Sequence, residues 1–211
     1  MGPAWLDWAR RLNALAQSGL TFAESPYDIE RYTAIRTIAA EMIAHGSGAD
    51  TSRVLELFAC DAGYATPKVD VRGVVFQDGK ILLVQERSDG MWTLPGGWAD
   101  VGDSPAGAVV RELREESSYE TRATKLLALL DRNRHDHPPH VNHIYKVFIR
   151  CEIIGGSPTT SHEIQGVGFF AEDQIPELSL TRTVPAQITR MFEHYRQPDL
   201  PADFDEVQLP D

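Results

Sequence analysis

Three glutamates, Glu112, Glu115 and Glu116, lie in the run Arg111-Glu112-Leu113-Arg114-Glu115-Glu116. At about 100° per residue in a helix, the three fall within an arc of roughly 100°, so one strip projects three carboxylates. Like charges at that spacing cost a few tenths of a kcal/mol per pair in an isolated helix, and something must offset the cost. One offset is solvent together with Arg111 and Arg114. The other is a divalent cation, because hard cations take carboxylate oxygens alongside substrate phosphates. The preceding run, Leu94-Pro95-Gly96-Gly97-Trp98-Ala99-Asp100-Val101-Gly102-Asp103-Ser104-Pro105, favours the cation. Gly96 and Gly97 permit close backbone approach and free a carbonyl as an oxygen ligand.

The surrounding pattern supplies elements to hold that strip. Ser104-Pro105 starts a helix to Ser117 in which Ala106, Val109, Val110 and Leu113 gather on one side. After Thr66-Pro67 the apolar period becomes strand-like through Val69, Val71 and Val74-Val75-Phe76, turns at Gln77-Asp78-Gly79-Lys80 and returns over Ile81–Gln85. Trp92–Pro95 reads as a short extended piece, Tyr145–Ile153 and Val167–Phe170 as strands, and Thr183–Arg196 as a closing helix. Interspersed strands and helices give a mixed α/β domain. Three helical segments precede it: Pro3–Ser18, Pro26 to His45-Gly46, and Thr51–Asp61. Short amphipathic helices have little core of their own, so this unit is expected to pack on a partner, either the rest of the chain or a second copy, and a homodimer is the expected assembly. The expected organisation is a helical segment 1–66, a mixed domain 67–196, and a mobile acidic tail 197–211 that holds five acids and no base.

The glycine loop and glutamate strip together resemble the Nudix hydrolase signature, Gly-x5-Glu-x7-Arg-Glu-U-x-Glu-Glu-x-Gly-U, where U is a bulky aliphatic residue. Gly97, Arg111, Glu112, Leu113, Glu115 and Glu116 match it, six of nine specified positions, whereas Asp103, Ser118 and Tyr119 depart from it. The resemblance implies an α/β/α sandwich with a mixed sheet, preceded by a small helical domain. It also implies cleavage of a nucleoside diphosphate conjugate, NDP-X, to NMP and phospho-X with Mg²⁺ or Mn²⁺. On this resemblance Glu115 and Glu116 are the principal metal ligands, Glu112 a ligand or base, the Gly97 carbonyl a further ligand, and Arg111 the group that orients Glu112 or Asp103. Asp103, one methylene shorter than glutamate, is expected to reach Arg111 or an outer metal weakly or through water. Ser118 stands where glycine would end the helix left-handed, at a cost of roughly 1–2 kcal/mol. Further phrases, Asp28-Ile29-Glu30-Arg31-Tyr32, Gly63 to Arg72, and His143-Ile144-Tyr145-Lys146, are similar to a bacterial subgroup that acts on CDP-choline and carries an N-terminal helical domain. CDP-choline is therefore the favoured substrate and ADP-ribose the alternative. An RNA-processing enzyme and a non-catalytic ligand sensor complete the set.

Other residues are candidates by position. Glu163, before Val167–Phe170, resembles a loop glutamate that serves some members of the family as base or extra ligand. The stretch Asp131–His143 holds four of the seven histidines and two arginines, and Arg132, Arg134 and His135 are expected to contact substrate phosphate or a partner subunit. Trp98 is a candidate for packing on a substrate cation through its ring. Cys60 and Cys151 read as free buried thiols. The formal charge of −11 disfavours RNA held mainly by phosphate neutralisation. The absence of a long apolar run or a signal-like start leads to the expectation of a cytoplasmic protein without membrane association.

Overall fold

A computed structural model of the 211-residue chain describes residues 3–206. Its contacts group the chain into two compact units, Met1–Pro67 with Pro139–His143, and Lys68–Pro138 with Ile144–Asp211. The five-residue return to the first unit was not foreseen from sequence.

The first unit is built from α1 (Ala4–Phe22), α2 (Pro26–Ser47) and α3 (Thr51–Ala59). Pro26 begins α2 where its missing N–H is not needed, and Gly48 ends it at φ 74°. Asp50 caps α3 by accepting the Ser52 N–H at 2.7 Å. Small residues let the helices approach closely: Ala9, Ala39, Ala40 and Ala44 pack with Leu6, Ile43, Val54 and Phe58, and Val141 joins them from the returning segment. Outside this core Trp8, Leu15, Phe22, Tyr27 and Leu57 are exposed. Cys60, expected to be buried, is exposed at the end of α3, whereas Cys151 is buried.

The second unit comprises β1 (Lys68–Gln77), β2 (Lys80–Glu86), β3 (Trp92–Thr93), α4 (Pro105–Ser117), β4 (Tyr119–Asp131), β5 (Ile144–Gly156), β6 (Ile164–Phe170), α5 (Pro185–Arg196) and β7 (Asp203–Phe204). The strands form one mixed sheet in the order β3-β2-β1-β5-β4-β7, with β6 also paired to β2. β1 and β5 run parallel from Lys68 opposite Ile144 to Val75 opposite Cys151. Val71, Val75, Val147 and Ile149 pack beneath α4 with Ala108, Val109 and Leu113. Val74, Leu83, Leu94 and Phe148 pack beneath α5 with Ile188, Met191 and Phe192. The result is the α/β/α layering that the family resemblance implied.

Two stretches differ from the sequence reading. Tyr119–Asp131 is a 13-residue strand that the apolar pattern did not reveal, because register shifts near Glu120, Ala123 and Leu126 break its alternation. The segment 197–206, expected as part of a mobile tail, is docked. Lys125 Nζ donates to the Pro198 and Leu200 carbonyls at 2.6 and 2.7 Å, β7 pairs with β4, and Asp203 forms an ion pair with Arg190 and a hydrogen bond with His194. Residues 207–211 lie outside the described residues.

Candidate active site

α4 starts as its sequence dictates. Ser104 accepts the Gly107 N–H at 3.0 Å, Pro105 occupies the first turn, and Val109 and Leu113 anchor one side in the core. At the other end Ser118 adopts the left-handed conformation at φ 62°, as expected for its position. Anchoring of the apolar side aims the glutamate strip at the loop Pro95–Trp98. That loop is sewn onto β1: Gly73 N–H donates to the Pro95 carbonyl and Val71 N–H to the Gly97 carbonyl, both at 2.8 Å. Gly96 has φ 140°, and a Cβ there would collide with the Val71 carbonyl. Only glycine fits this crossing.

The three carboxylates occupy different environments. Glu116 is 7% exposed and accepts the Gly96 N–H at 2.8 Å. Burial pushes its carboxyl up to about 8, against the opposing pull of Arg72 and the Gly96 N–H. Glu112 lies against Gly97, where a Cβ would come within 3.2 Å of its carboxylate, and burial also raises it while Arg111 opposes. Glu115 is the most exposed of the three. Arg111 gathers the outer part of the site, reaching Glu112 at 2.9 Å and Asp100, Asp103 and Glu115 at 3.3 Å. The Asp103 contact is thus direct, though long for a charged pair, as its shorter side chain suggested.

The remaining candidates fall in several places. Glu163 is exposed beside His162, and its carbonyl accepts the Arg87 N–H at the end of β2. Trp98 is half exposed and lines a groove of about 420 Å³ with Val69, Asp100, Val101, Asp103 and Pro105. Arg132 is buried and donates to the Pro138 and Thr181 carbonyls. Arg134 donates to the Glu206 carbonyl, and His135 is 3.1 Å from Asp205. The bonds of Arg134 and His135 therefore tie the docked C-terminal segment to the unit, a role that sequence did not suggest for them. Sequence reasoning also missed Glu86, which is buried against Arg182 at 3.1 Å, and the buried charges Asp70, Arg72 and Lys146. Asp70 and Arg72 alternate with valines and so read as a wet strand face.

The donor set suits a hard cation. Three carboxylates project from one helical strip, all with oxygen donors, and the most buried of them lacks enough positive charge to hold its ionised form at an ordinary pKa. Among the described residues no three potential ligands already converge on one point.

Residues 66–192 match the NUDIX domain family, and residues 3–58 match a UDP-X-like N-terminal oligomerisation domain. The chain belongs to the Nudix hydrolase family. It is 45% identical over 95% of its length, and 97% of the relative's, to a Bacillus subtilis protein named "Putative ADP-ribose pyrophosphatase YjhB". A crystal structure of a UDP-X diphosphatase covers 95% of the chain and 97% of its own, with 32% identity and a TM-score of 0.62. That of a Streptococcus suis ADP-ribose pyrophosphatase covers 66% of the chain and all of its own, with 39% identity and a TM-score of 0.61. The chain is thus a Nudix pyrophosphohydrolase with an N-terminal helical region. No helix among the described residues is long and apolar enough to cross a membrane.

Proposed function

We propose that this Nudix enzyme hydrolyses nucleoside diphosphate sugars, with ADP-ribose, cleaved to AMP and ribose 5-phosphate, as its leading substrate. The observation that carries the reading is the near full-length similarity to a relative named for ADP-ribose, which spans both units of the chain. The UDP-X diphosphatase of similar length supports the broader class of nucleoside diphosphate conjugates. The preference for CDP-choline expressed above draws no support from these relatives.

In this reading Glu112, Glu115 and Glu116 hold divalent cations, with one backbone carbonyl from the glycine loop. The Gly97 carbonyl accepts the Val71 N–H through one lone pair and keeps a second for a cation, and the adjacent Gly96 carbonyl is the alternative donor. Bound Mg²⁺ or Mn²⁺ supplies charge neutralisation for the diphosphate and a more acidic water. Arg111 holds Glu112 and Glu115 in place through their carboxyl oxygens. Glu112 or Glu163 takes a proton as water adds to one phosphorus and the bridging oxygen departs with the other phosphate. The exposed Trp8, Leu15, Phe22 and Tyr27 of the first unit support assembly as a homodimer, which light scattering at micromolar concentration would reveal and a monomer would refute.

A product-resolved panel of ADP-ribose, UDP-sugars, CDP-choline and a short 5′-triphosphorylated RNA, with Mg²⁺ or Mn²⁺, tests the substrate. The expected result is fastest release of AMP from ADP-ribose and no turnover in chelator. ADP-ribose left intact while another conjugate is consumed would replace the substrate and leave the reaction class standing.

A further inference from the structure

A cluster of charge is buried on β1 at positions where the strand would ordinarily carry apolar side chains. Val71 and Val75 enter the core beneath α4, whereas Val74 enters that beneath α5. Strand alternation therefore aims Asp70 and Arg72 toward the α5 side. Both are buried there, and Lys146, directly opposite Asp70 on β5, is fully buried. Arg72 donates through Nε to Asp70 Oδ1 at 2.9 Å and through Nη2 to Oδ2 at 3.2 Å, and Lys146 Nζ donates to the same carboxylate. A third arm, Nη1, reaches the Leu94 carbonyl at 3.1 Å.

A guanidinium is a rigid planar fork, so its two bonds to Asp70 dictate where the third donor meets Leu94. Two residues beyond Leu94, the Gly96 N–H holds Glu116. The Arg72 charge also acts on Glu116 and on Glu86. Stability gives little reason for such a cluster, because apolar residues of similar volume commonly replace buried ion groups without loss.

We propose that Arg72, clamped by Asp70 and Lys146, is a positioning residue for Glu116. It fixes the Leu94 carbonyl, and through the Leu94–Gly96 backbone it fixes the N–H that holds the Glu116 carboxyl. The proposal rests on the reading of Glu116 as a metal-binding carboxylate.

Amide NMR of the metal-free protein, combined with kinetics on the conjugate cleaved fastest in the panel above, tests it. The Gly96 amide proton, bonded to the Glu116 carboxyl oxygen, is expected downfield. In Arg72→Lys, which keeps the charge and loses the fork, that resonance moves upfield. Turnover, kcat, falls about 100-fold, the loss that a displacement of about 1 Å can cause. KM stays within about threefold and the thermal midpoint stays close to wild type. Arg72→Met, which also removes the charge, loses more. Asp70→Asn loosens the clamp with Arg72 in place and gives the same pattern more weakly, so it carries the test if the Arg72 variants fail to fold. An unmoved Gly96 resonance with near-normal kcat in Arg72→Lys overturns the proposal. So does an unchanged Asp70→Asn, or a fall in kcat that only tracks lost thermal stability. Full activity of Glu116→Gln would remove the metal-site reading itself, a separate result.

Discussion

Glu116 on α4 and Asp203 on β7 are both carboxylates embedded among charged neighbours, and their surroundings drive them in opposite directions. Asp203 takes two hydrogen bonds from Arg190, at 2.6 and 2.7 Å, and one from His194 at 2.9 Å, and these hold its carboxyl below the usual range. Glu116 is more deeply buried, accepts one N–H, and is pushed up to about 8 by burial. A carboxylate surrounded by sufficient donors fastens one segment to another. A buried one left short of positive charge is poised to take a cation.

The largest consequence should appear in turnover. Glu116→Gln keeps size and can still accept the Gly96 N–H, yet removes the charge a cation needs. Activity at saturating metal should fall by about 10³-fold or more, equivalent to about 4 kcal/mol of barrier. The fold should persist by circular dichroism. Near-normal turnover would make Glu116 no different in kind from Asp203.

The two residues should also respond oppositely to pH in stability measurements. Asp203→Asn should destabilise by about 1–2 kcal/mol at neutral pH in urea melts, with activity within about threefold of wild type. Its folded pKa is depressed, so the stabilisation is complete above the ordinary value of 3.8 and is lost as pH falls through the lower folded value. The gap between variant and wild type should therefore close in that acid range. For Glu116 the folded pKa is raised, so in chelator its burial costs stability that develops as pH rises from 4.5 to about 8. Glu116→Gln should gain on wild type across that interval. A stability of Glu116→Gln that falls relative to wild type as pH rises through this interval would contradict the assignment of Glu116 as a desolvated acid.

The smallest effect concerns the end of α4. Ser118→Gly relieves a left-handed non-glycine residue and should raise stability by about 1 kcal/mol, read as a higher Tm with unchanged kcat. A lower Tm would mean that the Ser118 side chain makes a compensating contact.

Much of the α4 site was legible because its chemistry depends on local spacing. Gly97, Arg111, Glu112 and Glu116 lie on one loop and one helix, and their separations alone place them together. The docking of 197–206 was not legible, because Lys125, Arg190 and His194 hold it from other elements and a short acidic run gives no sign of them. β4 was hidden by its register shifts, which break the apolar alternation along it. The burial of Asp70 and Arg72 was hidden by a general ambiguity. Alternating charge on a strand usually marks a solvated face, and only the packing of α5 and the position of Lys146 make this one dry.

Direct titration of the metal-free protein with Mn²⁺, followed by the electron paramagnetic resonance of the free ion, puts the contrast between Glu116 and Asp203 to its simplest test. Wild type and Asp203→Asn should bind Mn²⁺ alike, and Glu116→Gln should bind it at least about tenfold more weakly, a difference of about 1.4 kcal/mol. Equal Mn²⁺ binding by wild type and Glu116→Gln would contradict the assignment of the α4 strip as the metal site.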